Sequence, residues 1–493
     1  MRRALIIVAG CVLLLVVLVL IAASFLNVNR YRPMIEAQLQ AKLNRPVTIG
    51  KLHLHFLPFS IRVDDLAVQE PSGFPTAPPF ATAQEVYVSA SLVDLLGGRE
   101  EIHSLTLHDP QVTLIRNSAG TWNYAGMGTG NSQSTASQKG GNSPLTLDKL
   151  IVKSGRVTLI DQEGKAQPTV YDHIDLSVAG IAPSHQFTVR ASVHFPGPGE
   201  NLVAFAGNGG PLGSAEVPLQ GAISSRSLQI EDVEFKNLQA NLNSANGITR
   251  LSPFSASIFG GALNGNLTLN AKSAMTQCSV QGKLAGVDAN ALLTALSSVK
   301  ESIYGTLNSD ANLTFQIDSG ANLTQTLNGT LAFDLTNGHL KNLDMMKELE
   351  RVGSFLNGNP AQASQDTTIQ KLSATLNIRD GIAETNNLTA ILPEASLQGA
   401  GSLNLVNEAI DMHLSATLKG VLKNQPGVLR AALGNGQGGA VIPVTLTGSM
   451  AHPQVALDAK GLAASRLGNV IGKQNGAAGS ILGSVLGQLG KKK

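Results

Sequence analysis

Two histidines in the stretch KLHLHF, residues 51–56, have the chemistry and the spacing with which a zinc site could begin. A zinc ion needs three or four converging ligands that are oriented by a surrounding shell of hydrogen bonds. No cysteine or cluster of carboxylates lies near His53 and His55, and Asp64 and Asp65 belong to the following strand or turn. Because the two histidines alternate with three apolar residues, they lie on the polar face of a strand. We therefore interpret them as solvated side chains and predict no metal site.

Three glycines, Gly434, Gly436 and Gly439, match the spacing G-x-G-x-x-G. The dinucleotide-binding fingerprint requires a strand before these glycines and a helix after them. Here the sequence predicts a helical turn at 428–433 and a strand at 441–446, which is the reverse order. The patterns G-x-S-x-G, G-x-x-x-x-G-K-[ST] and H-E-x-x-H do not occur in the chain. We therefore expect a protein that is not an enzyme and that carries no cofactor.

The composition narrows the class of partner. Charged residues make up 14% of the 493 residues and the formal net charge is +2, whereas charged residues make up about 25% of a typical soluble domain. So small a positive charge argues against a nucleic-acid partner. Aromatic residues make up only 4% of the chain. Its apolar surfaces must therefore be built from leucine, valine, isoleucine and alanine.

The first segment, ALIIVAGCVLLLVVLVLIAASFL at residues 4–26, contains no charged residue. A helix of this length spans the roughly 30 Å of bilayer hydrocarbon at about 1.5 Å per residue. It is also longer than the apolar region of about 7–15 residues in a cleavable signal peptide. We predict an uncleaved transmembrane anchor; the alternative is a signal peptide cleaved after Ala22-Ala23-Ser24. We expect everything after Leu26 to lie outside the cytoplasm.

Beyond the anchor, apolar residues recur at every second position along most of the chain, which is typical of strands with one apolar face. Asn-Gly and Asp-Gly pairs fall between or at the ends of these runs, where hairpins need residues that tolerate positive φ. Helical periodicity predicts short helices at 29–43, 288–300 and 342–355. Residues 125–144 have the composition of a flexible linker or disordered loop, and residues 459–493 form a Gly/Ala-rich amphipathic tail.

So many one-sided strands with so few helices leave two ways to cover the apolar face. The sheet packs on another sheet, as in a sandwich or barrel. Otherwise it curls around an apolar space that a different molecule fills. The pattern of residues alone favours the sandwich.

Several stretches, taken together and in order, resemble the AsmA family of bacterial envelope proteins. The membrane-proximal stretch matches through Arg45 and Pro46, and a strand pair matches through Arg116, Gly120 and Asn123. The stretches are NRYRPMIEAQLQAKLNRPVTI (29–49), DDLAVQEPSGFP (64–75), SLTLHDPQVTLIRNSAGTWNY (104–124), PFSASIFGGALNGNLTLN (253–270), LNGTLAFDLTNGHLKNLDM (327–345), GSLNLVNEAIDMHL (401–414) and IPVTLTGSMAHPQVALD (442–458). The resemblance covers about residues 1–458.

The resemblance implies a mainly β fold, in which a long curled antiparallel sheet forms an open apolar groove. An N-terminal transmembrane helix and a few short amphipathic helices accompany that sheet. Residues 27–124 would be the family's N-terminal helix and first strands, and residues 145–458 its groove. This expectation replaces the preference for a sandwich. The residues expected to line the groove are Leu267, Leu269, Leu313, Phe315, Leu331, Phe333, Leu335, Leu403, Leu405, Val444 and Leu446.

The resemblance also implies a function. The protein would be anchored in the bacterial inner membrane by residues 4–26, with most of the chain in the periplasm. It would bind or conduct phospholipid and so support outer-membrane biogenesis and envelope integrity. The resemblance leaves open whether the protein also contacts outer-membrane or other envelope proteins. The alternative is a non-enzymatic scaffold that assists outer-membrane protein assembly through sheet edges.

Overall fold

The computed structural model describes residues 28–56, 59–75, 78–90, 102–127, 147–162, 167–182, 185–212, 216–273, 275–317, 322–341, 366–418 and 440–458. This part of the chain is mainly β, as predicted, with 23 strands, two α-helices and two 3-10 helices. It contains no helix long and apolar enough to cross a membrane. The predicted anchor, the helix at 342–355 and the tail at 459–493 lie outside the described residues, as does most of the predicted linker.

The chain forms two compact units, the first made of Met1–Gln229 and Asn241–Asn246 and the second of Ile230–Ala240 and Gly247–Lys493. The first unit contains β1 (Val47–Thr48), β2 (Leu52–Phe56), β3 (Phe59–Val68), β4 (Ala81–Ala90), β5 (Ile102–His108), β6 (Gln111–Arg116), β7 (Leu147–Asp161), β8 (Thr169–Ile181), β9 (Phe187–His194), β10 (Leu202–Gly209) and most of β11 (Leu219–Ile230). Strand β12 (Val233–Ala245) has residues in both units. The second unit contains β13 (Ile248–Ile258), β14 (Gly261–Asn270), β15 (Thr276–Asp288), β16 (Ile303–Ile317), β17 (Asn328–Leu340), β18 (Thr367–Arg379), β19 (Ile382–Ile391), β20 (Ala395–Asn404), β21 (Ala409–Leu418), β22 (Ala440–Ser449) and β23 (Pro453–Leu457).

Two of the predicted helices lie in the described part of the chain. Helix α1 (Arg32–Leu43) follows a 3-10 turn at Val28–Tyr31 and ends at Asn44, which adopts the left-handed conformation, so the prediction at 29–43 is confirmed. Helix α2 (Ala289–Leu296) is shorter than the predicted 288–300. Asp288 caps its first turn by accepting the N–H of Ala291, and Ser297 already has extended backbone.

The first unit is antiparallel except around β7. Strands β5 and β6 both run parallel to β7 and lie end to end along it. The bend between them falls at Asp109, which has a positive φ, and Pro110, which has no N–H to offer to a ladder. Strands β7 to β11 then pair antiparallel, each with the next. The residues on both sides of the predicted linker therefore belong to the same sheet.

The second unit is an antiparallel meander in which each strand from β13 to β23 pairs with the next. Two predicted hairpin pairs, Asn246-Gly247 and Asp380-Gly381, form turns with both φ angles positive. Asn264-Gly265 instead lies inside β14, where a Cβ on Gly265 would come within 3.0 Å of the Phe254 ring. That glycine therefore makes room for an aromatic ring.

Candidate functional site

The register of the second unit separates apolar from polar residues across the whole width of the sheet. Residues opposed on neighbouring strands lie on the same face. One line of opposed residues, from β13 to β23, is entirely apolar: Leu251, Leu267, Val280, Leu313, Gly329, Ile378, Ala383, Leu403, Ile410, Gly448 and Pro453. A second, from β15 to β22, is Val287, Leu307, Leu335, Leu372, Ala390, Leu397, Ala416 and Ile442. We call the face that carries both lines the apolar face.

The adjacent line of residues is entirely polar and lies on the other face. From β14 to β23 it consists of Asn266, Gln281, Asn312, Thr330, Asn377, Glu384, Ser402, Asp411, Thr447 and Gln454. Most of these side chains are exposed. Alternation that stays in phase over ten strands presents the polar side chains to water on one face and gathers the apolar side chains on the other.

Burial on the apolar face is uneven and is greater along the second line than along the first. Side chains on β18 to β22, such as Leu397, Leu414 and Val444, are buried in a continuous cluster. On β14 and β16, Leu267 and Leu313 are only partly buried. The apolar face therefore combines a packed core, which also includes Val287 and Leu335, with partly accessible surface along the first line.

The structure brings most of the predicted lining residues together on this face. Leu313, Leu331, Phe333, Leu403 and Leu405 pack around Ala374, Leu376, Ile378 and Ala383, while Leu403 and Leu446 also pack against the cluster that contains Val444. Leu335 is buried at 2% exposure. Leu267, Leu269 and Phe315 lie on the same face by register, farther along the sheet and partly buried. Leu335 and Val444 are therefore core residues of this unit rather than accessible surface.

A contact between loops at opposite ends of the strands shows that the sheet of the second unit is coiled. Ser298 lies in the connection between β15 and β16, and Glu408 lies in the turn between β20 and β21. These two connections are at opposite ends of the strands. The N–H of Ser298 donates to Glu408 Oε1 at 2.9 Å, and its hydroxyl donates to Oε2. In a flat sheet, the five steps from β16 to β21 alone would separate these residues by about 24 Å at about 4.8 Å per step.

Because loops at opposite ends of the strands meet, one face of the coiled sheet is enclosed and the other faces outward. The polar line is exposed, so the apolar face is the enclosed one. The hydrogen bonds from Ser298 also lower the pKa of the Glu408 carboxyl, which keeps it ionised and able to accept both of them.

The first unit has the same division between faces. One apolar line runs from β2 to β11: Leu52, Val63, Val86, Leu107, Val152, Leu176, Ala191, Phe205 and Ile223. The ring of Phe205 lies against Gly207 and Gly221, where an added Cβ would come within 2.8 Å of it. An added Cβ would come still closer to the neighbouring backbone, within 2.2 Å of the Gln220 carbonyl oxygen at Gly207, so these glycines leave room for the paired strand as well as for the ring.

A buried polar network in the first unit uses residues of the AsmA-like motifs. Asn123 has no exposed surface; its Nδ2 donates to Glu70 Oε1 at 2.9 Å and its Oδ1 accepts the N–H of Ile115 at 3.0 Å. Arg45 donates to the backbone carbonyl of Asn123 and lies over the ring of Phe80. Burial raises the pKa of Glu70, and it lowers that of Arg45. The motif residues thus join the start of β1, the end of β3 and the turn after β6.

The histidines of β2 lie in an ordinary strand environment. His53 Nε2 is 2.9 Å from Asp64 Oδ2, and Asp64 also contacts Arg62. Arg62 contacts Glu85 in turn at 3.5 Å. The contact with Asp64 satisfies the imidazole of His53, and His55 is exposed to solvent.

The comparison with protein families agrees with the motifs. The AsmA family profile matches residues 1–209 and 211–388. The chain therefore belongs to the AsmA family, and this membership supports an envelope-related function in broad terms. The last two motif stretches, at 401–414 and 442–458, lie beyond the matched residues. No curated protein and no solved structure matches the chain.

Proposed function

We propose that this protein binds phospholipid by its acyl chains along the apolar face and conducts it, in support of outer-membrane biogenesis and envelope integrity. The observation that carries the proposal is the unbroken apolar line across eleven strands of a coiled sheet. Between β14 and β17 that face is buried at Val287 and Leu335, but along the first line, at residues such as Leu267 and Leu313, it is only partly buried. It therefore offers aliphatic surface that a packed core would not leave accessible.

Physical chemistry makes acyl chains the fitting occupant. Each CH₂ group that leaves water contributes about 0.8 kcal/mol, so an extended apolar face stabilises a lipid tail along its whole length. Neither apolar line of the second unit contains an ionisable residue. The charged residues next to them in the chain lie on the opposite face. A surface of leucine, isoleucine and alanine also lacks the directional hydrogen bonds that would hold a lipid in one position.

The proposal includes a location. Residues 4–26 would anchor the chain in the bacterial inner membrane, as a single span, and the two units would lie in the periplasm. The protein would act without catalysis or a cofactor. Family membership supports a role in the envelope, and the apolar face supports lipid as the cargo.

A charge on the apolar face tests the proposal. Phe333 is partly buried against Ala374 and neighbouring apolar residues, and burying an unpaired charge costs several kcal/mol. At a partly accessible position the new carboxylate keeps some of its water, so Phe333→Asp should lower the melting temperature yet leave a folded sheet. Cells that produce only this variant should lose envelope integrity, as judged by sensitivity to detergent.

The matched control is Thr336→Asp on the same strand, because Thr336 opposes Thr306 and Lys371 on the polar face. It should keep both the melting temperature and the envelope. A folded Phe333→Asp protein that supports a normal envelope would contradict lipid conduction and favour a scaffold that acts through sheet edges. A Phe333→Asp protein that does not fold would indicate a packed interior instead.

A further inference from the structure

An irregularity in β8 brings three metal-binding side chains to one point on the polar face of the first unit. The register of β8 and β9 passes from Asp172 opposite His194 to Asp175 opposite Ser192, so β8 contains one extra residue. At this bulge His173 has a φ of 47°. Consecutive residues of a regular strand point to opposite faces. The bulge instead places the side chain of His173 beside that of Asp172.

One carboxylate oxygen contacts both imidazole rings. Asp172 Oδ1 lies 2.8 Å from Nδ1 of His194 and 2.9 Å from Nδ1 of His173. The two ring centroids are 5.8 Å apart and the rings are nearly perpendicular, at 85°. The other carboxylate oxygen, Oδ2, lies 3.9 Å from Nη2 of Arg156. One oxygen of the carboxylate thus faces both histidines, and the other lies near the Arg156 guanidinium.

We propose that Asp172, His173 and His194 bind a divalent transition-metal ion, with zinc as the best fit. Two imidazoles and one carboxylate form a zinc donor set, whereas calcium and magnesium prefer ligand sets made of oxygen. Three protein ligands leave a fourth position for water or for an anionic group. Arg156 lies at ion-pair distance from Oδ2, where its positive charge favours the ionised carboxylate that a metal ligand requires.

The present distances are those of hydrogen bonds, and a zinc ion requires a small adjustment. With bonds of about 2.0–2.1 Å, tetrahedral ligand atoms lie about 3.3 Å apart, so each imidazole must move away from Oδ1 by about half an ångström. The side chain of His173 is 77% exposed and therefore free of packing that would resist this movement. A neutral imidazole that binds zinc through Nδ1 carries its proton on Nε2, so zinc binding would require this tautomer of both rings.

Other histidines contact carboxylates, but in a different arrangement. His53 contacts Asp64 and His339 contacts Asp366, with one histidine in each case. Within the residues that the structure describes, the set at Asp172 is the group in which three ligand atoms of histidine, cysteine or carboxylate all lie within 4.8 Å of one another. A pair holds a metal ion weakly, whereas three converging ligands form a site.

Zinc titration of the full-length protein tests the proposal. The protein is purified without a polyhistidine tag, and ZnCl₂ is titrated by isothermal calorimetry into wild type, His194→Gln and His339→Gln. Glutamine keeps the size and a hydrogen-bond donor but is not an imidazole ligand. We expect one stoichiometric site in wild type, at least tenfold weaker binding in His194→Gln and unchanged binding in His339→Gln.

Equal binding by wild type and His194→Gln, a loss in His339→Gln, or no stoichiometric binding would overturn the proposal. If His194→Gln does not fold, the exposed position gives the same test through His173→Gln. Cobalt(II) provides a second measurement, because its visible absorption reports a tetrahedral site with nitrogen and oxygen ligands. That absorption should appear in wild type and be absent from either histidine variant.

Discussion

At the scale of single residues, Asn123 has the most demanding position in the first unit. It is fully buried, donates to Glu70 and to the Thr113 carbonyl, and accepts the N–H of Ile115. Asn123→Ala would leave these groups without partners in a site that excludes water. A buried group left unpaired costs about 1–3 kcal/mol, so we expect the free energy of unfolding to fall by about 3 kcal/mol, measured by chemical denaturation.

Asn117 is the control for that variant, since it is an asparagine of the same motif on an exposed turn. Its side chain accepts the N–H groups of Ala119 and Thr121. Asn117→Ala should cost about 1 kcal/mol or less, because water replaces the lost acceptor. Equal losses for the two variants would show that the buried network is not what makes this motif structurally important.

Among the elements of the second unit, the hydrogen bond from Ser298 to Glu408 connects the loop before β16 with the turn before β21. Glu408→Ala removes the acceptor of the Ser298 N–H. Because the side chains are largely solvated, the expected change in global stability is under about 1 kcal/mol. The local effect should be larger, and hydrogen exchange of the segment 297–300 should become faster.

Glu384→Ala is the comparison, since Glu384 is an exposed carboxylate in the polar line of the same unit. It should leave exchange at 297–300 unchanged. Slow exchange at 297–300 in Glu408→Ala would mean that other contacts hold the loop and the turn together.

The elements also show how far the sequence predicts this structure. Alternation over Leu313, Phe315 and Leu331 correctly predicts strands with one apolar face, because that period follows directly from strand geometry. Irregular backbone has no such periodic signal. The one sequence signal for the group at Asp172 is that an aspartate and a histidine are adjacent within a strand. That signal predicts neither the bulge nor the position of His194 on the next strand. The alternation around His53 and His55 is visible in the sequence, whereas no sequence pattern brings His194 to Asp172 and His173.

At the scale of the whole molecule, the residue pattern alone could not choose between a packed sandwich and a curled sheet. Both place leucines on one face, and they differ only in what covers it. In the second unit, β13 to β23 pair in succession as one sheet, and the contact of Ser298 with Glu408, 110 residues apart in the chain, brings opposite ends of its strands together. No local pattern predicts such a contact. The resemblance to the AsmA family implied the curl, and this contact supplies its physical evidence.

Lipid conduction along the apolar face requires that lipid contact this face and not the polar face. A photoreactive amino acid is placed, in living cells, at Leu267, Leu313 and Leu403, and at their chain neighbours Asn266, Asn312 and Ser402. Each pair differs by one position along a strand and therefore by face. Mass spectrometry of the irradiated protein should find phospholipid adducts at the three leucine positions and few or none at their neighbours. Equal labelling of both faces, or no lipid adduct at any leucine position, would contradict the account.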